Sequence, residues 1–560
     1  MTTRFTPVLA GVCLSLCAFS SYAQDEDELL WTFGDEDFVS IATGRKQSIS
    51  KAPAVASVIT AAQIKNIGAR DIDEALETIA GLHVSHRSGG YNPVYVIRGI
   101  HSDFNPQVLL LINGIPINNV FGGDRSQVWG GMPVENISRI EVIRGPGSAV
   151  YGADAFAGTI NIVTKVASEI DGLEVGASGG SFDTYRTWAL YGKETEDWAL
   201  SASLQTLKTD GHDETIETDF ASLVGLPSFA PNGVNLEREN IDARIDFAVK
   251  KLRFRAGYQS RNDIGLGVGG AQSLDPTTGS QGTRINADLT YHDTEFADNW
   301  EVKTTLSYYD VTTKVDLVLF PPGAFGIFPD GIIGNPDVYE RHYRWNNSAF
   351  YTGFDKHDIR IGFGYHFLDQ YKIKEAKNFR ANTNPLIPIP FLPLPGGMQL
   401  VTGADLFNQE EDREVSYIFI QDEWSLAKDW SLTLGLRHDH YSDFGDTTNP
   451  RAALVWETAH NLTTKLLYGQ AFRAPSFAEQ FNQANPVAIG NANLDPEQIE
   501  TFELAFTYIP VDDLKIGFNL FYYDFEDIIR FTPVAQNTGN QTGKGLELEM
   551  DWKISKEFTI

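Results

Sequence analysis

Two histidine pairs are the first residues whose type and spacing could do chemistry. His83 and His86 stand three residues apart, and His438 and His440 fall on one face of an alternating segment. Imidazoles so placed could bind a transition metal, but a stable site normally takes three or four ligands. Neither pair has the others at hand in the chain, so no metal site is expected. No His-Glu-x-x-His or clustered Ser/His/Asp block occurs, and hydrolytic chemistry has no complete carrier, so the chain does not read as an enzyme. The only cysteines, Cys13 and Cys17, lie within the first 23 residues, which leaves no thiolate site or disulfide for the rest. With 44 Lys+Arg against 74 Asp+Glu and a net charge of −30, the concentrated basic footprint of a nucleic-acid binder is missing. No cofactor is implied. What remains is recognition chemistry: phenylalanines in Pro/Gly-rich loops (Phe320, Phe325, Phe328, Phe391) and charges placed inward by alternation.

The elements that must position these groups fall into regions of different period. Arg4, the apolar stretch Pro7 to Phe19 and Ser21-Tyr22-Ala23 read as a secretory signal peptide over residues 1–23, too short to span a bilayer. Residues 24–50 are acidic and aperiodic, expected as a flexible N-terminus. Residues 51–165 mix short strands and helices, an α+β domain. Strands are expected at Val55–Ile59, Val94–Ile97, Val108–Ile112, Ile140–Ile143 and Thr159–Val163, and helices at Ala61–Ile67 and Asp71–Ile79. From about Asp171 the chain becomes a series of ten-residue alternating segments, such as Leu546, Leu548, Met550 and Trp552 against Glu547, Glu549, Asp551 and Lys553. Short turns at every second junction (Thr195–Asp197, Asp298–Asn299, Lys428–Asp429, His460–Asn461, Asp512–Asp513) alternate with long loops, and Trp198, Trp300 and Trp430 follow turns directly. That pattern, behind an export signal, describes an antiparallel β-barrel of the bacterial outer membrane contacting its lipid.

Three blocks then carry a resemblance. Val96-Ile97-Arg98-Gly99, Val108 to Pro116 with its Leu-Leu-Leu-Ile-Asn-Gly core, and Ile140 to Gly152 running into Ala155 to Lys165 resemble, in order and spacing, the plug domain of TonB-dependent outer-membrane receptors. Phe472-Arg473-Ala474-Pro475 and Asn491-Ala492-Asn493-Leu494 are similar to two barrel boxes of that family, Ala492 replacing the usual proline. The resemblance implies an α+β plug inside a transmembrane antiparallel barrel of about 22 strands. Residues 172–560 hold about sixteen strands, a seventeenth beginning at Phe558, so roughly five C-terminal strands are expected to be missing and the barrel to be incomplete.

The resemblance also implies a function: capture of a scarce, large nutrient, a ferric siderophore first and cobalamin as the alternative, and import coupled to TonB and the inner-membrane proton-driven motor. The segment Asp37-Phe38-Val39-Ser40-Ile41-Ala42-Thr43 matches the position of the TonB box, which would add as a strand to TonB; the other reading is that it is the first strand of the plug. Arg98 and Arg144 are implied to lock the plug to wall glutamates, and alternation turns Glu503 and Glu547 inward as their partners; static scaffolding is the other reading. Substrate contacts are expected from the plug apices (Arg87, Tyr91, Asn92, Arg125, Trp129) and from loop aromatics including Phe325 and Phe328, which would suit an anionic catecholate or equally pack the loops. No histidine lies between Ser476 and Ile489, against haem, and the plug motifs oppose a passive porin.

Overall fold

The computed structural model describes residues 38–86, 92–102, 104–126, 129–269, 272–382, 389–485, 488–555 and 558–559. The expected signal peptide, the tract before Phe38 with Asp37, and Arg87 and Tyr91 lie outside the described residues.

The plug begins with a small hairpin, β1 (Phe38–Val39) against β2 (Gln47–Ser48). Then follow β3 (Val55–Thr60), α1 (Ala61–Asn66), α2 (Ile72–Leu76), β4 (Leu82–His86), β5 (Pro93–Ile97), β6 (Val108–Ile112), β7 (Ile115–Pro116), β8 (Ile137–Arg144), α3 (Ser148–Tyr151) and β9 (Gly158–Thr164). Both first helices start on side-chain caps: Thr60 and Gln63 form a reciprocal capping box, and Asp71 accepts from the Glu74 N–H. The strands β3-β8-β9-β6-β7 make one sheet in that order, with only β6 and β9 parallel, and β4 pairs with β5 alongside. The expected strands and helices are all present. Helix α2 stops three residues short of Ile79, and β4 and the β1–β2 hairpin are further strands, those of the hairpin only two residues long. Residues 38–50 are not a flexible tail: Val39, Ile41, Ala42 and Ile49 pack with Ala52, Ala56 and Ile143 in a buried cluster of their own.

Among the described residues the wall is a nineteen-stranded sheet. Three members, Leu317–Phe320, Gln399–Leu400 and Phe558–Thr559, are short, and the others span nine to twenty-four residues. Pairing is antiparallel throughout, each long strand beside its sequence neighbour. Among the described residues the first and last strands do not pair with one another.

Polarity is inverted relative to a water-soluble fold. Leu546 and Leu548 are 65% and 63% exposed, whereas Glu547 between them is 7% exposed. Leu434 and Leu436 face out while Thr433 and Arg437 are buried. A wall in lipid gives its apolar rows to the hydrocarbon and keeps its polar rows for the lumen. The principal core therefore lies in the plug, where Tyr95, Leu110, Trp129, Ile140, Val142, Phe156, Ile160 and Ile162 are fully buried, with Tyr309, Val311, Ala471 and Phe525 of the wall packed on them. At the short-turn end aromatics pair across strands: Trp430 with Trp456 at 4.7 Å and Trp300 with Tyr351 at 4.8 Å between ring centroids.

Leu434→Arg, on the outward row well inside the strand Trp430–Tyr441, is expected to destabilise the folded barrel in lipid vesicles by about 2–4 kcal/mol, as read by urea titration of the membrane-inserted protein.

Candidate functional site

The candidate lock is assembled from both domains. Glu503, Asn519 and Glu547 lie on three consecutive wall strands, Glu497–Val511, Leu514–Glu526 and Gln541–Ser555, with Asn519 directly across from Glu547 and Phe521 across from Glu503. Alternation turns all three polar side chains inward. Arg98 follows β5 in a left-handed conformation (φ 53°), which aims its guanidinium at the wall. Its Nη2 donates to Glu503 Oε2 at 2.6 Å and to Glu547 Oε2 at 3.2 Å, and its Nε donates to Glu547 Oε1 at 3.0 Å. The guanidinium also stacks 4.5 Å from the centre of the Phe521 ring. Asn519 Nδ2 donates to Glu503 Oε2 and Glu547 Oε2, both at 3.0 Å, and so holds the two carboxylates for one arginine. The paired carboxylates hold the Arg98 guanidinium above its ordinary pKa against the opposing effect of burial. Gly145, at φ +94°, is needed here, because a Cβ would stand 2.6 Å from Glu503 Oε1.

Arg144 reaches the same wall strand one step lower. It donates to Glu549 Oε2 at 3.1 Å, to Ser57 Oγ at 2.9 Å and to Ala80 O at 2.7 Å, and lies 3.6 Å from Glu547. Asn519 and Glu549 were not singled out from the sequence, although both stand on inward rows and alternation points to them.

Residues 38–43 of the proposed coupling segment are folded, with Val39, Ile41, Ala42 and Thr43 buried. Glu141 of β8 accepts from the Ser40 N–H and hydroxyl and from the Ile41 N–H, and Tyr151 donates to Ile41 O at 2.9 Å. Phe38 and Val39 are paired with Ser48 and Gln47 in the β1–β2 hairpin.

The expected substrate contacts fall differently. Arg125 is fully buried and donates to Asn105 O, Asn105 Oδ1 and Pro93 O at 2.9–3.0 Å. Trp129 is fully buried, with Nε1 donating to the Tyr95 hydroxyl at 2.6 Å, which in turn donates to Asp73 Oδ1 at 2.7 Å. Asn92 is buried and donates to Asp124. Phe328 sits with Phe320, Ala324, Ile332 and Phe379 in a loop core, and Phe325 packs on it. In this conformation these residues build the apex and the loops from within, where acceptors supplied by the fold offset part of the cost of burying an indole N–H or a guanidinium. The histidines are engaged locally: His83 with Glu77, His440 with Asp446 and His438 with Thr448.

The two barrel boxes meet in space. Arg473 of the first donates at 2.5 Å to Glu497, three residues beyond the second, and to both oxygens of Glu479 at 2.7 and 3.0 Å. Helix Phe477–Phe481 then accepts the plug: the Phe477 and Ala478 N–H groups donate to Val120 and Phe121 carbonyls, while Glu340 of the wall accepts from the Val120 and Phe121 N–H groups.

Burial, with Asp71 beside it, pushes the Asp73 carboxyl up to about 7 from 3.8. The folded chain then retains a proton that the unfolded chain has lost, so stability falls as pH rises through that window. Asp73→Asn keeps an acceptor for Tyr95 and is expected to flatten this slope, measured by amide exchange of β5 across the same pH range.

Comparison with known proteins accords with this geometry. Residues 48–159 match the TonB-dependent receptor plug domain and residues 226–559 the TonB-dependent receptor-like β-barrel. An iron-regulated outer membrane virulence protein of Vibrio cholerae is 26% identical over 94% of this chain and 73% of its own length. The vitamin B12 transporter BtuB of the same species is 23% identical over 92% and 75%. The crystal structure of a ferric enterobactin receptor mutant from Pseudomonas aeruginosa superposes with a TM-score of 0.68 at 19% identity, covering 91% of this chain and 79% of that one. The barrel match spans more than half of the chain. The protein belongs to the TonB-dependent receptor family of the bacterial outer membrane.

Proposed function

We propose that the protein binds a scarce, large nutrient at the outer face, a ferric siderophore first, and imports it into the periplasm with energy delivered by TonB. The observation that carries this reading is the nature of the plug–wall junction. Arg98 and Arg144 tie the plug to the wall through buried charge-assisted hydrogen bonds to Glu503, Glu547 and Glu549. A static filler would be better served by apolar packing, since a buried ion pair adds little net stability yet is costly to break on one side. Such a junction suits a plug that is seated firmly and released only when work is done on it. The iron-regulated and enterobactin-binding relatives favour the siderophore reading, and the BtuB relative supports cobalamin as the second. A TonB box at Asp37 to Thr43 would have to leave its present partners before it could pair with TonB, because Glu141 and Tyr151 occupy the Ser40 and Ile41 backbone groups that strand addition would use.

Growth of a deletion strain carrying the intact gene, on iron chelates and on cobalamin under limitation, tests the reading. Rescue by one nutrient, lost on deletion of Asp37 to Thr43, is expected. Rescue that survives the deletion would refute the TonB-box assignment, and no rescue on any of these nutrients would refute the substrate class.

The lock makes a second demand. Arg98→Ala leaves two buried carboxylates facing each other and is expected to loosen plug seating by about 3–5 kcal/mol, read as faster amide exchange in β3 and β8. Arg98→Met combined with Glu503→Gln and Glu547→Gln should restore most of the protection.

A further inference from the structure

The chain around the candidate TonB box is gripped by wall cations that have no carboxylate partner. Arg360, on the strand His357–Lys377, donates from Nη1 to Thr43 O at 2.7 Å. Arg451, on Gly445–Ala459, donates to Ala42 O at 3.1 Å and to Pro53 O at 3.2 Å. Lys465, on Leu462–Arg473, donates to Ile49 O at 2.6 Å and to Ala54 O at 3.1 Å. Gly44 makes the approach possible: its φ is +90°, and a Cβ there would lie 2.7 Å from Arg360 Nη1. Among the described residues none of the three cations forms an ion pair with a carboxylate within 4.0 Å. Glu423 acts on the two arginines and Glu503 on Lys465 only from farther off, the Glu423 oxygens being taken by Gln47 and Gln421. Arg360 Nε, also buried, has no acceptor.

The contrast with the lock is physical. Arg98 and Arg144 meet carboxylates, whereas Arg451 and Lys465 meet neutral carbonyls and Arg360 meets a carbonyl and the ring faces of Phe350 and Phe419, at 5.2 and 5.0 Å, so no carboxylate pairs with any of the three in a medium where charge is felt strongly. A carboxylate on the segment would make a tighter tether. Three basic side chains without a carboxylate partner, around one removable segment, form an anion site whose lid is that segment. A cavity of about 40 Å³ lined by Ile41, Ala42, Pro53, Arg144, Arg451 and Glu503 already separates lid, wall and lock.

We infer that Arg360, Arg451 and Lys465 form an anion-binding station in the lower lumen, covered by residues 40–54 in the seated state and open to a multiply charged anionic cargo once that segment is withdrawn. Use of the station by the cargo rests on the import function proposed above, and it narrows the cargo to an anionic chelate. The net charge of −30 gives the station its purpose, because the chain as a whole repels anions and the attraction must be local.

A ligand that binds only the withdrawn state must draw the population toward it. Thr43 is fully buried and its hydroxyl has no partner, so Thr43→Cys reports withdrawal without breaking a hydrogen bond. With Cys13→Ser and Cys17→Ser it supplies the only thiol. Maleimide labelling of the purified chain in detergent is followed against pyrophosphate, a polyanion too small to be the cargo. Labelling is expected to accelerate about tenfold with pyrophosphate, by its differential affinity for the open state. Potassium chloride at matched ionic strength and cobalamin should leave it unchanged. Adding Arg360→Gln and Arg451→Gln should give fast labelling that ignores pyrophosphate. A flat response, an equal response to chloride, or a response that persists in the arginine-free variant overturns the station. No transport is measured, so a flat response removes the station and leaves import standing, while failure of the growth experiment removes import alone.

Discussion

A strand in hydrocarbon must give every backbone polar group to a neighbouring strand, and the rest of this structure follows from that requirement. It accounts for the unbroken antiparallel pairing of the wall from Gly172 to Ser555 and for the short turns at every second junction. Because successive side chains point to opposite faces, it also dictates that one row of each strand meets lipid and the other meets the lumen. Leu546 and Glu547 are neighbours in the chain and occupy opposite solvents.

A lumen lined by the polar rows cannot be filled by an ordinary apolar core. The plug buries its own core within its sheet and meets much of the wall through hydrogen bonds and ion pairs. The contacts grade along the lumen in kind. Near the apex, Glu340 and the helix after Arg473 hold plug backbone groups. In the middle, Arg98 and Arg144 meet glutamates. Beneath them, wall cations meet carbonyls of the segment around Ala42 and Thr43. Each layer is held by polar contacts, which water can replace more readily than it can replace apolar packing.

The residues expected to touch substrate show the limit of reading loops by composition. Arg125 and Trp129 have the chemistry of ligand contacts, but Pro93, Asn105 and Tyr95 lie close enough in the fold to satisfy them. Phe325 and Phe328 stand in a Pro/Gly-rich loop that closes on its own aromatic core. Nothing in the local sequence distinguishes a buried indole with a partner from an exposed one awaiting a ligand, because the partner is far away in the chain.

What the sequence by itself determined is everything periodic or carried by a contiguous block: the inverted barrel, the plug strands, the inward rows bearing Glu503 and Glu547, and the family. These are legible because alternation and turn chemistry are local properties of the chain. Only the tertiary structure decided which inward groups meet. Arg98 and Glu547 are separated by 449 residues and Arg451 and Ala42 by 409, and no local pattern encodes such a pairing. It arises when the folded wall carries its polar rows against the plug, and the choice between a carboxylate and a carbonyl for each buried cation is made there.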